Sequence, residues 1–380
     1  MAKWKTVEAF VREHWAYPLP PMGEAPASYK GDERSLLPEA CGECHPDQHA
    51  QWRTSLHAKA MGPGIYGQLV DLWASDPAQA RGCNECHAPL AEQQKRLPKG
   101  ESPDAAWEKN PAHLPALETA GLACAACHVR SWRVHGPPKR EDTRGNLVGS
   151  AHGGVERTPF FERAEFCMKC HQHDGDGPNG KPIQNTYREW KESLWGQEDV
   201  QCQSCHMPRR QHLWRGIHDK DMAQGAVGVE VELAGKKNEP VTARIILTNE
   251  GAGHRFPTYI TPSVDVIAEL EDARGRAIPG TRQTAVIGRR LSEDFTREIS
   301  DTRIPPQESF VMDYLRARPR EAATLRVRVH VKPDHFYHGF FISYLRGNDL
   351  SARARKLIEE ARDNAAKSAF DIYDERFGLP

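Results

Sequence analysis

Two hydrophobic rhythms divide this chain. From Gly225 onward, apolar and polar residues alternate with a period of two in five runs: GAVGVEVELA, VTARIILTNE, SVDVIAELED, ESFVMDYLRA and ATLRVRVHV. The runs are rich in β-branched residues and separated by Gly/Pro turns, so each predicts a half-buried strand. Strands at this spacing predict an immunoglobulin-like β-sandwich. A helical period takes over near the C-terminus. There Leu350, Ala354, Leu357, Ile358, Ala361, Ala365, Ala369 and Ile372 fall on one face of a helix drawn from Asp349 to Ile372. Before residue 220 neither rhythm persists. A helical stretch from Trp4 to Trp15, whose tryptophans need cover, leads into the Pro-rich run PLPPMGEAP, and only short helices are predicted beyond it. The expected fold is α+β: a lead-in over 1–40, a mainly helical, loop-rich domain over 41–220, the β-sandwich over 221–335, and a C-terminal helical tail over 336–380.

The loop-rich domain has little from which to build a core. Only 38% of the 380 residues are apolar and the mean hydropathy is −0.69. Gly (30) and Pro (28) are frequent, as in chains wrapped around something other than their own side chains. A formal charge of −1 offers no basic surface for nucleic acid. No run approaches the roughly eighteen apolar residues of a membrane span.

The cysteines supply what the hydrophobic pattern lacks. All ten lie in Cys-x-x-Cys-His pentapeptides: Cys41, Cys44 and His45; Cys83, Cys86 and His87; Cys124, Cys127 and His128; Cys167, Cys170 and His171; Cys202, Cys205 and His206. Zinc ribbons use such pairs two at a time, so five fit poorly. A disulfide between residues this close is strained and would need no histidine beside it. With 18 His in the chain, a histidine follows any one pair by chance about one time in twenty, and all five roughly once in a million or more rarely. The spacing is that of haem c attachment, two thioethers with the adjacent imidazole under the iron. Five covalently bound haem c groups are expected, and their macrocycles supply the missing apolar mass.

Each iron needs a sixth ligand. Met168 and Met207 sit beside attachment sites and cannot reach across, whereas thirteen further histidines favour bis-histidine ligation and low potentials. His57 follows His45 by twelve residues, roughly 18 Å on a continuous helix, so it is expected to serve a neighbouring haem. His135 precedes two prolines and is expected to project from a loop. His152 lies in SAHGG, where glycines permit close approach. His218 and His254 complete the preferred set, with His212 as substitute. His49 and His173 are expected to face solvent, and nothing specific marks His14, His113, His330, His335 or His338.

The segments CGECHPDQHAQWRTSLHA, GCNECHAPLAEQ, CAACHVRSWRVHGP, SAHGG, FCMKCHQ and CQSCHMP with HLWRGIHD resemble a family of bacterial multihaem cytochromes c. That family is related to the tetrahaem electron acceptor of hydroxylamine oxidoreductase and, more loosely, to octahaem oxidoreductases. The similarity covers residues 41 to 218, and NEGAGHRFPT extends it further. The resemblance implies that His57, in the element formed with Trp52 and Ser55, is a distal ligand. It also implies close haem pairs, some parallel and some perpendicular. The Cys-x-x-Cys-Lys site of pentahaem nitrite reductases is missing from this sequence, as are three of the eight haems of the octahaem enzymes.

Three functions remain open. The first is an electron carrier that exchanges electrons with a redox partner protein, either another cytochrome or a membrane-bound oxidoreductase. The second is an oxidoreductase with one open haem acting on a small nitrogen or sulfur oxyanion, with His212, Tyr187 or Arg255 supplying protons or charge. The third is a subunit of a homo-oligomer or head-to-tail filament in which a neighbouring copy supplies a distal histidine. Haem c is attached outside the cytoplasm, so a periplasmic or extracellular location is expected. MAKWKTVEAF has no apolar signal core, which puts the export signal outside this numbering.

Overall fold

The computed structural model of the protein describes residues 4–100, 105–140, 151–175, 177–292, 295–347 and 349–380. Residues 1–3 of the expected lead-in and Ser150 of SAHGG lie outside them. The chain is α+β. Among the described residues no helix is long and apolar enough to cross a membrane.

Two compact units form, and their segments interleave. The first comprises Met1–Cys170, Gln201–Trp214 and Ser343–Ala361; the second comprises His171–Val200, Arg215–Ile342 and Arg362–Pro380. The expected boundary near residue 220 therefore gives way to several crossings. Polar contacts that hydrophobic rhythm does not register explain this. In the second unit the buried Arg289 guanidinium donates to the carbonyls of Pro182 (2.6 Å) and Lys181 (3.2 Å), and the Thr186 and Thr258 hydroxyls lie 2.7 Å apart. In the first unit, Arg353 donates to the Tyr66 hydroxyl (2.8 Å) and the Ser351 amide to Asp71 (3.0 Å).

The second unit holds seven principal strands: β1 (Val227–Ala234), β2 (Val241–Asn249), β3 (Ser263–Asp272), β4 (Gln283–Ile287), β5 (Ser309–Arg316), β6 (Ala322–Lys332) and β7 (Phe370–Gly378). They form two antiparallel sheets, ordered β5-β2-β1 and β4-β3-β6-β7. Ile245 and Leu247 of β2, Tyr314 of β5, Val266 of β3 and Val327 of β6 share one core. A side chain of this size contributes about 1.5–3 kcal/mol when fully buried. The expected C-terminal helix is shorter than drawn. It runs Ala352–Lys367, and the chain then extends into β7. Ile372, placed by its spacing on a helix face, is a buried strand residue in the sheet core, where β7 pairs with β6.

In the first unit, the helix Val7–His14 is N-capped by the Thr6 hydroxyl and buries Phe10 and Val11 with Trp4, Trp15 and Phe161. This is the cover the two tryptophans require.

Arg303, only 4% exposed, holds Asp301 through two nitrogens (2.8 and 2.9 Å) and Glu189 through a third (3.1 Å). Burial alone would push Asp301 up, but the guanidinium outweighs it and holds the carboxyl at about 2. Glu189 is pushed up by burial despite the same guanidinium. The depressed Asp301 contributes about 2 kcal/mol that is fully present above pH ~4 and lost as pH falls through about 2. Arg303→Met should cost about 3 kcal/mol at pH 7. Urea unfolding followed by circular dichroism should show that cost shrinking as pH falls from 4 towards 2. A pH-independent cost would refute the pairing.

Candidate metal centres

Four of the five pentapeptides end a short helix on their histidine: Pro77–His87, Cys124–His128, Glu165–His171 and Cys202–His206. In the other, Cys41 lies in Pro38–Gly42, and His45 caps the next helix, Pro46–Thr54. One helical turn brings residues three apart onto a common face, so both sulfurs of a pair address the same group.

Two of the motif imidazoles are held by backbone carbonyls and a third by a hydroxyl. His87 Nδ1 donates to the Ala60 carbonyl (2.8 Å) and His128 Nδ1 to that of His135 (2.9 Å), while His171 Nδ1 lies 2.5 Å from the Tyr259 hydroxyl. A carbonyl can only accept, so the Nδ1 of His87 and His128 carries the proton and Nε2 keeps its lone pair for a metal. Burial lowers the basicity of both rings and favours the neutral form that a metal requires. His45 is also lowered, by burial and then by nearby His152.

Sulfur contacts connect the pentapeptides. Cys41 lies beside Cys124, Cys86 beside Cys170, and Cys167 beside Cys202. Cys127 lies close enough to interact with both Cys167 and Cys170. The first motif thus adjoins the third, the second adjoins the fourth, and the fourth adjoins the third and the fifth.

The distal candidates divide. His57 does not continue the helix Pro46–Thr54, because Ser55 ends it: the Ser55 hydroxyl donates to the Trp52 carbonyl (2.7 Å). The Trp52 indole donates to the Leu122 carbonyl (2.8 Å), and Leu122 returns its amide to the His57 carbonyl (2.9 Å). Gly121, at φ +62, lets these segments meet. A Cβ there would collide with the His57 carbonyl. His135 is not on a loop as expected. It lies in the strand Arg133–Gly136 at 3% exposure, beside the parallel strand Val155–Arg157. His152 adopts φ +58 next to Glu33. His212 Nδ1 donates to the Arg210 carbonyl (3.0 Å) and His254 Nδ1 to that of Arg255 (2.9 Å), so both repeat the arrangement of the motif imidazoles. His218 does not, because its Nε2 lies 3.0 Å from Asp334. Tyr187 and Arg255 belong to the second unit and His212 to the first. His49 is not solvent-facing, since it stacks on Trp52 with a buried Nε2; His173 is exposed.

The residues fit haem. Two imidazoles that would hold one iron between them, each nitrogen about 2.0 Å from the metal and about 1.1 Å from its ring centre, would have those centres at most roughly 6.2 Å apart. The centres of His128 and His212 are 6.2 Å apart.

Two features escape the sequence reading. His14, 2% exposed, donates from Nε2 to the Cys127 carbonyl (2.8 Å), and its pKa is pushed to about 2 by burial and then Arg130. Its apolar neighbour Phe10, fully buried, was the available signal. The second is a repeat: QWRTSLHA returns as EWKESLWG. Trp190 donates to the Val200 carbonyl (2.8 Å) and Ser193 to that of Trp190 (2.7 Å), as Trp52 and Ser55 do. Leu122 and Val200 each stand two residues before the cysteine that opens a motif. Where the first copy has His57, the second has Trp195, whose indole nitrogen is buried without a hydrogen-bond partner.

A family model described as cytochrome c554 and c-prime matches residues 40–129, which contain the first three motifs. A cytochrome c-552 of Aliarcobacter butzleri (strain RM4018) is 26% identical over 188 residues, covering 47% of this chain and 36% of that relative. The match thus spans little more than a third of the relative's length. The crystal structure of a penta-heme cytochrome c552 from Thermochromatium tepidum superposes with a TM-score of 0.64 at 20% identity, covering 92% of this chain and 100% of that one. That likeness is one of fold.

Two glycine substitutions should act with opposite signs. Gly121→Ala should cost more than about 1 kcal/mol and disturb the visible spectrum through His57. Gly82→Ala lies in a helix with nothing within 4 Å of the new Cβ, and should gain about 0.5–1 kcal/mol with no spectral change. Thermal unfolding and absorption spectra check both.

Proposed function

We propose that this chain, a multihaem c-type cytochrome by its motifs and the likenesses above, carries electrons through five covalently bound haems to or from a redox partner outside the cytoplasm. The observation that carries this reading is the sulfur network. Every motif has a cysteine beside one of another motif, and Cys127 lies close to both Cys167 and Cys170, which favours one continuous path. The haem iron supplies one-electron exchange; the chain supplies spacing, orientation and neutral imidazoles. His212 is the distal ligand opposite His128, supported by their 6.2 Å separation. His57, His135, His152 and His254 are the remaining distal candidates, and His218 ranks below them because Asp334 engages it. Another cytochrome or a membrane-bound oxidoreductase, met in the periplasm or at the cell surface, is the partner class. The two-sheet β region is read as immunoglobulin-like, supported by the pairing of β3 and β6 in one sheet and of β2 and β5 in the other.

One observation favours a second reading, the open-site oxidoreductase. The repeated Trp-Ser element offers Trp195 in place of a histidine. The oxidised spectrum separates the two. A carrier gives wholly low-spin iron and no turnover of nitrite or hydroxylamine. About one-fifth high-spin iron that binds cyanide readily gives the site to an enzyme.

Intact-mass analysis should show five covalent haems and no free thiol. His212→Ala should convert about one-fifth of the iron from low-spin to high-spin. An unchanged spectrum would remove His212 from the ligand set, and fewer haems in mature protein would sink the pentahaem count.

A further inference from the structure

The fourth motif differs from its neighbours in what holds its imidazole. His87 and His128 give their Nδ1 protons to backbone carbonyls, whereas His171 meets the side chain of Tyr259 at 2.5 Å. The two rings lie nearly parallel, 15° apart. A carbonyl accepts strongly and has nothing to titrate or rotate. A phenol oxygen is the weaker acceptor and leaves less negative charge on the ring.

The phenol is held in place. Tyr259 sits at φ +65, a backbone region that L-residues adopt only where the surroundings impose it. On one side, Thr258 meets Thr186 at the start of the helix Thr186–Glu192. Phe256 exchanges two backbone hydrogen bonds of 2.8 Å with Ile304. From the motif side, the Gln172 side chain bonds Asn185 (3.1 Å) and accepts the Arg188 amide (3.2 Å), which ties down the residue after His171.

We propose that Tyr259 is a positioning residue that sets the reduction potential of the fourth haem by accepting the Nδ1 proton of His171. The proposal rests on the haem reading of that motif. A hydrogen-bond acceptor behind an axial imidazole makes the ring more basic and stabilises ferric iron. Losing the phenol oxygen therefore raises the potential. The position matters because the fourth motif makes sulfur contacts with both the second and the fifth, so its potential sets the step to each.

The test is spectroelectrochemical titration of purified Tyr259→Phe holoprotein, with haem count by mass. Five haems should remain, all in their wild-type spin states. At the wild-type midpoint of one haem, the ferrous-to-ferric ratio should rise about threefold, roughly 28 mV for a one-electron couple. Thr258→Val keeps the phenol but releases its loop, and should move the same haem in the same direction by less; it serves if Tyr259→Phe does not fold. Five haems with unchanged midpoints in whichever variant folds overturn the proposal. Failure of the haem reading looks different: wild-type protein would lack a haem at Cys167 and Cys170.

Discussion

An imidazole can bind a metal through one nitrogen only while the other keeps its proton, and the fold answers that requirement at one ring after another. The motif helices are too short to fix ring orientation themselves. The acceptors come from elsewhere in the chain: Ala60 lies 27 residues before His87, His135 seven after His128, and Tyr259 88 after His171. At these three rings the loop-rich chain places an oxygen behind the imidazole from outside the motif.

Long-range polar contacts also account for the interleaved units. His171–Val200 follows a cysteine motif yet folds with the strands, because Tyr259, Thr258, Arg289 and Arg303 reach it from the strand region. The Arg303 group with Asp301 and Glu189 is nearly dry, so its pairing is specific and costly to break. Apolar packing builds the sheets; buried polar contacts decide which segments join them.

The sequence announced what is local. The five motifs were legible because their spacing is their chemistry, and five strands because period-two alternation is a property of neighbouring residues. β7 was missed because DIYDERF follows a run of alanines whose helical period extends naturally through Ile372. His135 was misplaced because two following prolines indicate a loop, while the parallel pairing with Val155–Arg157 is a long-range fact. His212 was ranked as a substitute because nothing in its own segment shows that it faces His128. His14 was passed over because its one signal, a place four residues after Phe10 on the same helix, does not distinguish a buried imidazole from a surface one.

The repeated Trp-Ser element separates two tasks that a single copy would confuse. In both copies the indole donates to a carbonyl two residues before a motif, and the serine hydroxyl donates to the tryptophan's own carbonyl. Those contacts end a helix and tie it to the segment entering an attachment site. They are made alike with His57 or Trp195 two residues after the serine. Docking is therefore carried by the tryptophan and serine, and that later residue is free to differ without disturbing it. A chain built this way can keep the tie to each motif while the residue two places after the serine changes. On the proposed carrier reading, electron path and axial chemistry are thus set by different residues, and ligation has to be read from imidazole geometry rather than from membership of the element.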